Sequence, residues 1–226
     1  FFIRDNEGNI QSIASQEYVD YCHQNNIEVW GLVENITYTN EIDITSILSK
    51  TSSRQNLVTQ LIAQAIQYDL DGINVDIENI QDEISDVWVQ FMRELYPQLK
   101  KEGLVVSVDV YTPSSWSGHY ERGKVAESSD YFMVMAYDQH WSGSEQAGSV
   151  AELPWTEEGI IATLEEVPNE KAAHIYTDGL VTIGEKSVIP SNVKIGKNTV
   201  ISGCTEAEDY PDSYLMSGKA LIKAGE

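Results

Sequence analysis

The sequence predicts an α/β protein in which repeated strand–helix units lay down a parallel sheet and a short repetitive β segment follows. Three observations predict it. Short apolar runs alternate with amphipathic patterns through roughly the first 170 residues. Two acidic residues stand two apart inside one of those runs, and isoleucines recur every six residues after residue 172. The chain has 226 residues, 42% of them hydrophobic, enough for a sizeable core.

The apolar runs are FFI (1–3), IEVWGLV (27–33), LDGINVDI (70–77), GLVVSVDV (103–110) and YFMVMAYD (131–138). Between them, residues 16–26, 54–69 and 82–103 carry apolar side chains at three- and four-residue steps, the pattern of helices packing on a sheet. In the second helix Leu57, Leu61, Ala65 and Tyr68 share one face, and Ser52 or Ser53 is placed to cap its start. Gly103 is placed to end the third at C′. Past residue 172, Ile183, Ile189, Ile195 and Ile201 keep a six-residue interval, with Gly184 and Gly196 after two of them. A β-helix coil has this period, yet fewer than three turns are present. An ordinary β-hairpin is the other reading, since short strands with turn residues look alike.

Side chains alternate along a strand, so Asn74, Asp76 and Glu78 point one way and Ile73, Val75 and Ile77 the other. In a barrel of parallel strands the polar row faces the axis, with Glu78 at the carboxyl end where barrel active sites lie. Burial and a neighbouring carboxylate raise the pKa of at least one of the pair, and a raised acid can protonate a leaving oxygen. Capping of the next helix, or a structural cation, remains open for these two acids. Tyr137 and Asp138 end another apolar strand, followed by His140 and Trp141. Taken alone, that pair reads as a satisfied strand terminus. Trp116, Trp141 and Trp155 offer flat faces that suit either a sugar or a core.

Composition narrows the classes. With 36 acidic against 14 basic side chains, the formal charge of -22 repels nucleic acid and anionic membrane surfaces. No apolar run reaches the length of a transmembrane helix. Cys22 and Cys204 form no CxxC pair and have no histidine at ligand spacing, so free thiols, no metal site and no cofactor are expected. The chain opens on Phe1-Phe2 without a signal sequence and reads as a piece of something longer.

The motifs carry a specific resemblance. DGINVDIE (71–78) resembles the DGxDxDxE signature of glycoside hydrolase family 18, and MAYD (135–138) resembles its sixth-strand MxYD motif. DVYTPSSW (109–116) and the segment 134–155 are similar to whole stretches of that family's spore-germination, cell-wall branch of N-acetylglucosaminidases. The resemblance covers residues 1–171. It implies a partial TIM-type (β/α)8 barrel, with counterparts of the family's second to sixth strands, in a secreted or cell-envelope setting. It also implies hydrolysis of β-1,4-linked N-acetylglucosamine glycans, peptidoglycan or chitin, by substrate-assisted retention. In that scheme the sugar's acetamido oxygen attacks its own anomeric carbon, an exception to the two-carboxylate mechanism. Glu78 would be the general acid/base and Asp76 the group that orients the acetamido. Tyr137 would hydrogen-bond the same acetyl, Asp138 would line the pocket floor, and Asn74, Tyr111, Trp116 and Trp141 would contact substrate. Family chitinases usually carry aspartate at the position of Asn74, and an amide cannot share a proton with Asp76. A truncated barrel that binds glycan without cleaving it is the alternative. Residues 172–226 resemble the carboxyl-terminal left-handed β-helix of glucose-1-phosphate adenylyltransferases, and an oligomerising fragment related to that enzyme, self-associating through this segment, is the other alternative. The join at 166–180 reads as a seam between two unrelated sequences.

Overall fold

The structure is a computed structural model and describes residues 1–36, 42–166, 168–172, 175–176, 179–210 and 213–223. Residues 167, 173, 174, 177 and 178 of the expected seam lie outside the described residues. The chain forms two compact units, 1–121 with 128–135, and 122–127 with 136–226. The sequence boundary at 171/172 therefore falls inside the second unit.

The first unit runs β1 (Phe2–Ile3), β2 (Ile10–Gln11), α1 (Gln16–Gln24), β3 (Trp30–Glu34), α2 (Ile44–Ser49), α3 (Thr51–Gln67), β4 (Gly72–Asp76), α4 (Ser85–Lys101), β5 (Val105–Tyr111) and β6 (Tyr131–Met135). Its sheet has the order β2-β1-β3-β4-β5-β6, with β2 antiparallel and the others parallel. Parallel strands that follow chain order, without a reversal, are wound as in a barrel rather than as in a doubly wound sheet. The five expected strands are thus present. β2 and α2 are additions, because a strand of two residues and a helix of six are too short to show a period.

Ile73 and Val75 of β4 and Val106 and Val108 of β5 are fully buried, as are Leu57 and Leu61 of α3 and Phe91, Met92 and Leu95 of α4. Burying each such side chain contributes about 1.5–3 kcal/mol, and this layer locks the phase of β4 and β5. The opposite row is more open, with Leu32, Tyr131 and Met133 exposed.

Three helices end alike. At the close of α1, α3 and α4, Asn26, Asp69 and Gly103 take positive φ, and the next residue's N–H reaches back to the helix: Ile27 to Cys22 O, Leu70 to Ala65 O, Leu104 to Leu99 O. These are Schellman closures, so Gly103 stands at C′ as the sequence predicts. The expected serine cap of α3 is not formed. Lys50 occupies the N-cap without a side-chain hydrogen bond, the helix starts earlier at Thr51, and the buried Ser53 hydroxyl donates to Asn6 O instead.

The second unit holds α5 (Arg122–Ala126), α6 (Leu153–Glu165) and β7 (Val181–Ile183), β8 (Lys194–Ile195), β9 (Thr199–Ser202), β10 (Tyr214–Leu215) and β11 (Ala220–Ile222). Arg122 is buried and grips Glu166 through Nε and Nη2 at 2.6 and 2.9 Å, the fork that matches a carboxylate. β9 pairs in parallel with β7 and β11, and β8 with β10. Parallel pairing overturns the hairpin alternative, since a hairpin is antiparallel. Ile183 lies opposite Ile201, three six-residue periods later. Ile201 is buried with Tyr210 and Leu215, with Ile189 and Ile195 packed against them, while Ile183 stays exposed. A Cβ at Gly196 would collide with the backbone of Ser217, which explains a glycine there. Neither Cys22 nor Cys204 is in a disulfide. Among the described residues no helix is long and apolar enough to cross a membrane.

Candidate active site

β4 stops at Asp76, and Glu78 stands two residues beyond it, just before Asn79 turns the chain at φ +57°. Ile73, Val75 and Ile77 are buried while Asn74, Asp76 and Glu78 are half-buried, so the strand alternates as its sequence requires. Glu78 is held by its own backbone. Asn35, beyond the end of β3, accepts from Glu78 N–H and donates to Glu78 O, each at 2.9 Å. The Tyr111 hydroxyl, at the end of β5, donates to Glu78 Oε2 at 2.7 Å. Burial, then this bond and the Glu78 charge, push the Tyr111 phenol well above its ordinary range, so it stays protonated and keeps donating.

Burial pushes Asp76 up from the ordinary 3.8 to about 6, with Asp109, Glu78 and Glu34 adding repulsion in that order. Asp109 is also raised by burial, against the pull of the Asn74 amide, which donates to its Oδ1 at 2.8 Å. Because Asp76 is raised in the folded state, its contribution to stability is whole below about 3.8 and is lost as pH rises through about 6. Asp76→Asn is therefore expected to leave stability unchanged at pH 3.5 and to raise it at pH 8. Urea midpoints at the two pH values check this, and equal effects at both would sink it.

Trp116 packs its ring edge-on to Tyr111 at a centroid distance of 4.9 Å, and Tyr120 does the same at 5.2 Å. Tyr111, Trp116 and Tyr120, together with Asn79, Gln81 and His119, line a cavity of about 420 Å³. Asn74, Asp76, Glu78, Tyr111 and Trp116 are thus brought together in the first unit. Tyr137, Asp138 and Trp141 belong to the second. Tyr137 and Asp138 follow β6 directly, both exposed, with Asp138 at φ +63°. Trp141 sits in a closed loop whose ends meet through Gln139 N–H to Val150 O at 2.9 Å, and its ring lies where a Cβ on Gly143 would fall. Trp141 is 64% exposed and Trp116 58%, so each has a face free for stacking, whereas Trp155 is half-buried in α6.

Glycosyl hydrolases family 18 matches residues 6–186. The chain belongs to this family.

Two relatives and one solved structure locate it further. The "Uncharacterized glycosylase YvbX" of Bacillus subtilis is 25% identical over 180 residues, 75% of this chain and 52% of its own length. The chain thus spans about half of that relative. A chitinase from Chromobacterium violaceum superposes with a TM-score of 0.65 at 23% identity, covering 74% of this chain and 55% of the chitinase, which shows a TIM-barrel-like α/β fold. Glucose-1-phosphate adenylyltransferase of Lachnospira eligens is 58% identical over 62 residues, 27% of this chain and 15% of that enzyme. Asn35 and Asp109 are absent from the candidate residues to which the sequence points. Asp109 had a signal, since Ser107, Asp109 and Tyr111 share one phase of β5 as Asn74 and Asp76 do on β4. Asn35 had a weaker one, a polar residue just past the carboxyl end of an apolar strand.

Proposed function

We propose that the chain hydrolyses β-1,4-linked N-acetylglucosamine glycans, peptidoglycan or chitin, by substrate-assisted retention. The observation that carries this reading is the Tyr111 hydrogen bond to Glu78, with Asp76 two residues before it on the same side of the strand. Tyr111 fixes one oxygen of the Glu78 carboxyl and leaves the other to give its proton to the glycosidic oxygen. The acetamido oxygen of the sugar then attacks C1, the bond to the leaving sugar breaks, and a cyclic oxazolinium forms. Asp76 accepts from the acetamido N–H and stabilises the positive charge that develops on that ring. Water then adds to C1 from the side the leaving group vacated, Glu78 takes the water's proton, and the ring opens with configuration retained.

In the same reading Tyr137 hydrogen-bonds the acetyl group, Asp138 lines the pocket floor, and Asn74, Trp116 and Trp141 contact the sugars. The name of the Chromobacterium chitinase supports the substrate class. The test is incubation of the chain with N-acetylglucosamine oligomers, following the anomeric protons of the product by NMR. The β-anomer should appear first, and an α-anomer first would exclude retention. A second reading, glycan binding without cleavage, is favoured by the exposure of Leu32, Tyr131 and Met133 on the strand face that carries the carboxylates. Measurable oligomer affinity with no product would select it.

A further inference from the structure

Asp76 stands among acids from three strands. Glu34 ends β3, Glu78 follows β4 and Asp109 lies on β5, with the phenols of Tyr111 and Tyr120 also within electrostatic reach. Val75 is paired with Val108, so Asp76 and Asp109 are the next residues along adjacent parallel strands and project to the same side. Asn74 turns its amide N–H₂ to Asp109 Oδ1 at 2.8 Å. Its own Oδ1 and the Oδ1 of Asp76 are then buried acceptors for which the described residues supply no donor. The two carboxyls are thus unequal: a hydrogen bond from Asn74 supports the anion of Asp109, while that oxygen of Asp76 has none.

We propose that Asp109 is the carboxylate partner of Asp76, a positioning residue that takes from β5 the part an aspartate at position 74 would take from β4. The asparagine then has a function of its own. It fixes Asp109 and favours its charged form, which leaves Asp76 as the member that takes up a proton first as pH falls. This rests on the reading of Asp76 as the acetamido-orienting group, because a partner that sets its charge sets when it can accept the acetamido N–H.

The test needs no turnover, so an inactive chain and a wrong partner give different results. In the full chain, aspartate carboxyl carbons are followed by ¹³C NMR from pH 3 to 9. Asp76 and Asp109 should each sense the other's titration, giving two-step curves, and single-step curves for both would overturn the proposal. Asp109→Asn keeps an oxygen for the Asn74 amide and should bring the Asp76 midpoint down by about one pH unit or more as the neighbouring charge disappears. An unchanged midpoint overturns it. Asn74→Asp combined with Asp109→Asn returns the carboxyl to β4 and should restore the high midpoint, and failure to restore it would show that Asp109 does not substitute for position 74. Near-UV circular dichroism of each variant confirms that the packing survives.

Discussion

Glu78→Gln is expected to lower turnover of a chromogenic chitobioside by about 10³-fold, within the range for removing a general acid/base. The change keeps the side chain's shape and an oxygen for the Tyr111 hydroxyl, which donates at 2.7 Å in the native protein. The Asn35 clamp on the Glu78 backbone does not involve the altered carboxyl. Only the transferable proton goes. A loss confined to kcat, with oligomer affinity by calorimetry unchanged, is the signature of a group that acts in the transition state. Turnover within tenfold of the native chain would remove Glu78 from the role of acid.

The largest effect on stability is expected at Trp88. Its side chain is 2% exposed, it stacks on Phe91 at 6.0 Å, and its indole N–H donates to Tyr120 O at 3.1 Å. Trp88→Ala is expected to cost about 3–5 kcal/mol from lost burial and the cavity it leaves. Against a typical total of about 5–15 kcal/mol, that leaves a marginal domain. Trp88→Phe keeps a ring but strands the Tyr120 carbonyl, and about 1–2 kcal/mol is expected for it. Urea midpoints read both, and a cost below about 1 kcal/mol for the alanine variant would contradict the packing described. Because Tyr120 also packs on Tyr111, the phenylalanine variant reports whether this carbonyl anchor is felt beside Glu78.

The sequence discloses whatever repeats with the period of its element. The alternation through Ile73 to Glu78 gave the strand, its buried face and its acidic row, and the same rule applied to β5 reaches Asp109. β2 escaped because two residues make no pattern, and it pairs through a turn held by Asp5, whose carboxylate accepts from Glu7 and Asn9 N–H. The serine cap of α3 failed because α2 runs to Ser49 and delivers the chain so that Lys50 becomes the N-cap. Asn35 was hard to see because it gains its role only when folding brings it to a partner 43 residues away. In the second unit the six-residue interval gave the phase of the isoleucines but not their depth. Ile201 is buried where strands pair with it on both sides, and Ile183 is on an edge and exposed.

The shared ending of α1, α3 and α4 also bears on how such a chain can be rearranged. At Asn26, Asp69 and Gly103 the last turn of helix satisfies its carbonyls from the next two residues, so the backbone closure itself is local. A crossover in the gene at any of these points would join two strand–helix modules through the same local geometry. The fold is thereby divided into exchangeable segments, each beginning at a residue in the left-handed conformation. An incoming segment would still have to present valine or isoleucine in the phase that its neighbours bury, and to keep the bonds that cross the joints, Asn35 to Glu78, Asn74 to Asp109 and Tyr111 to Glu78.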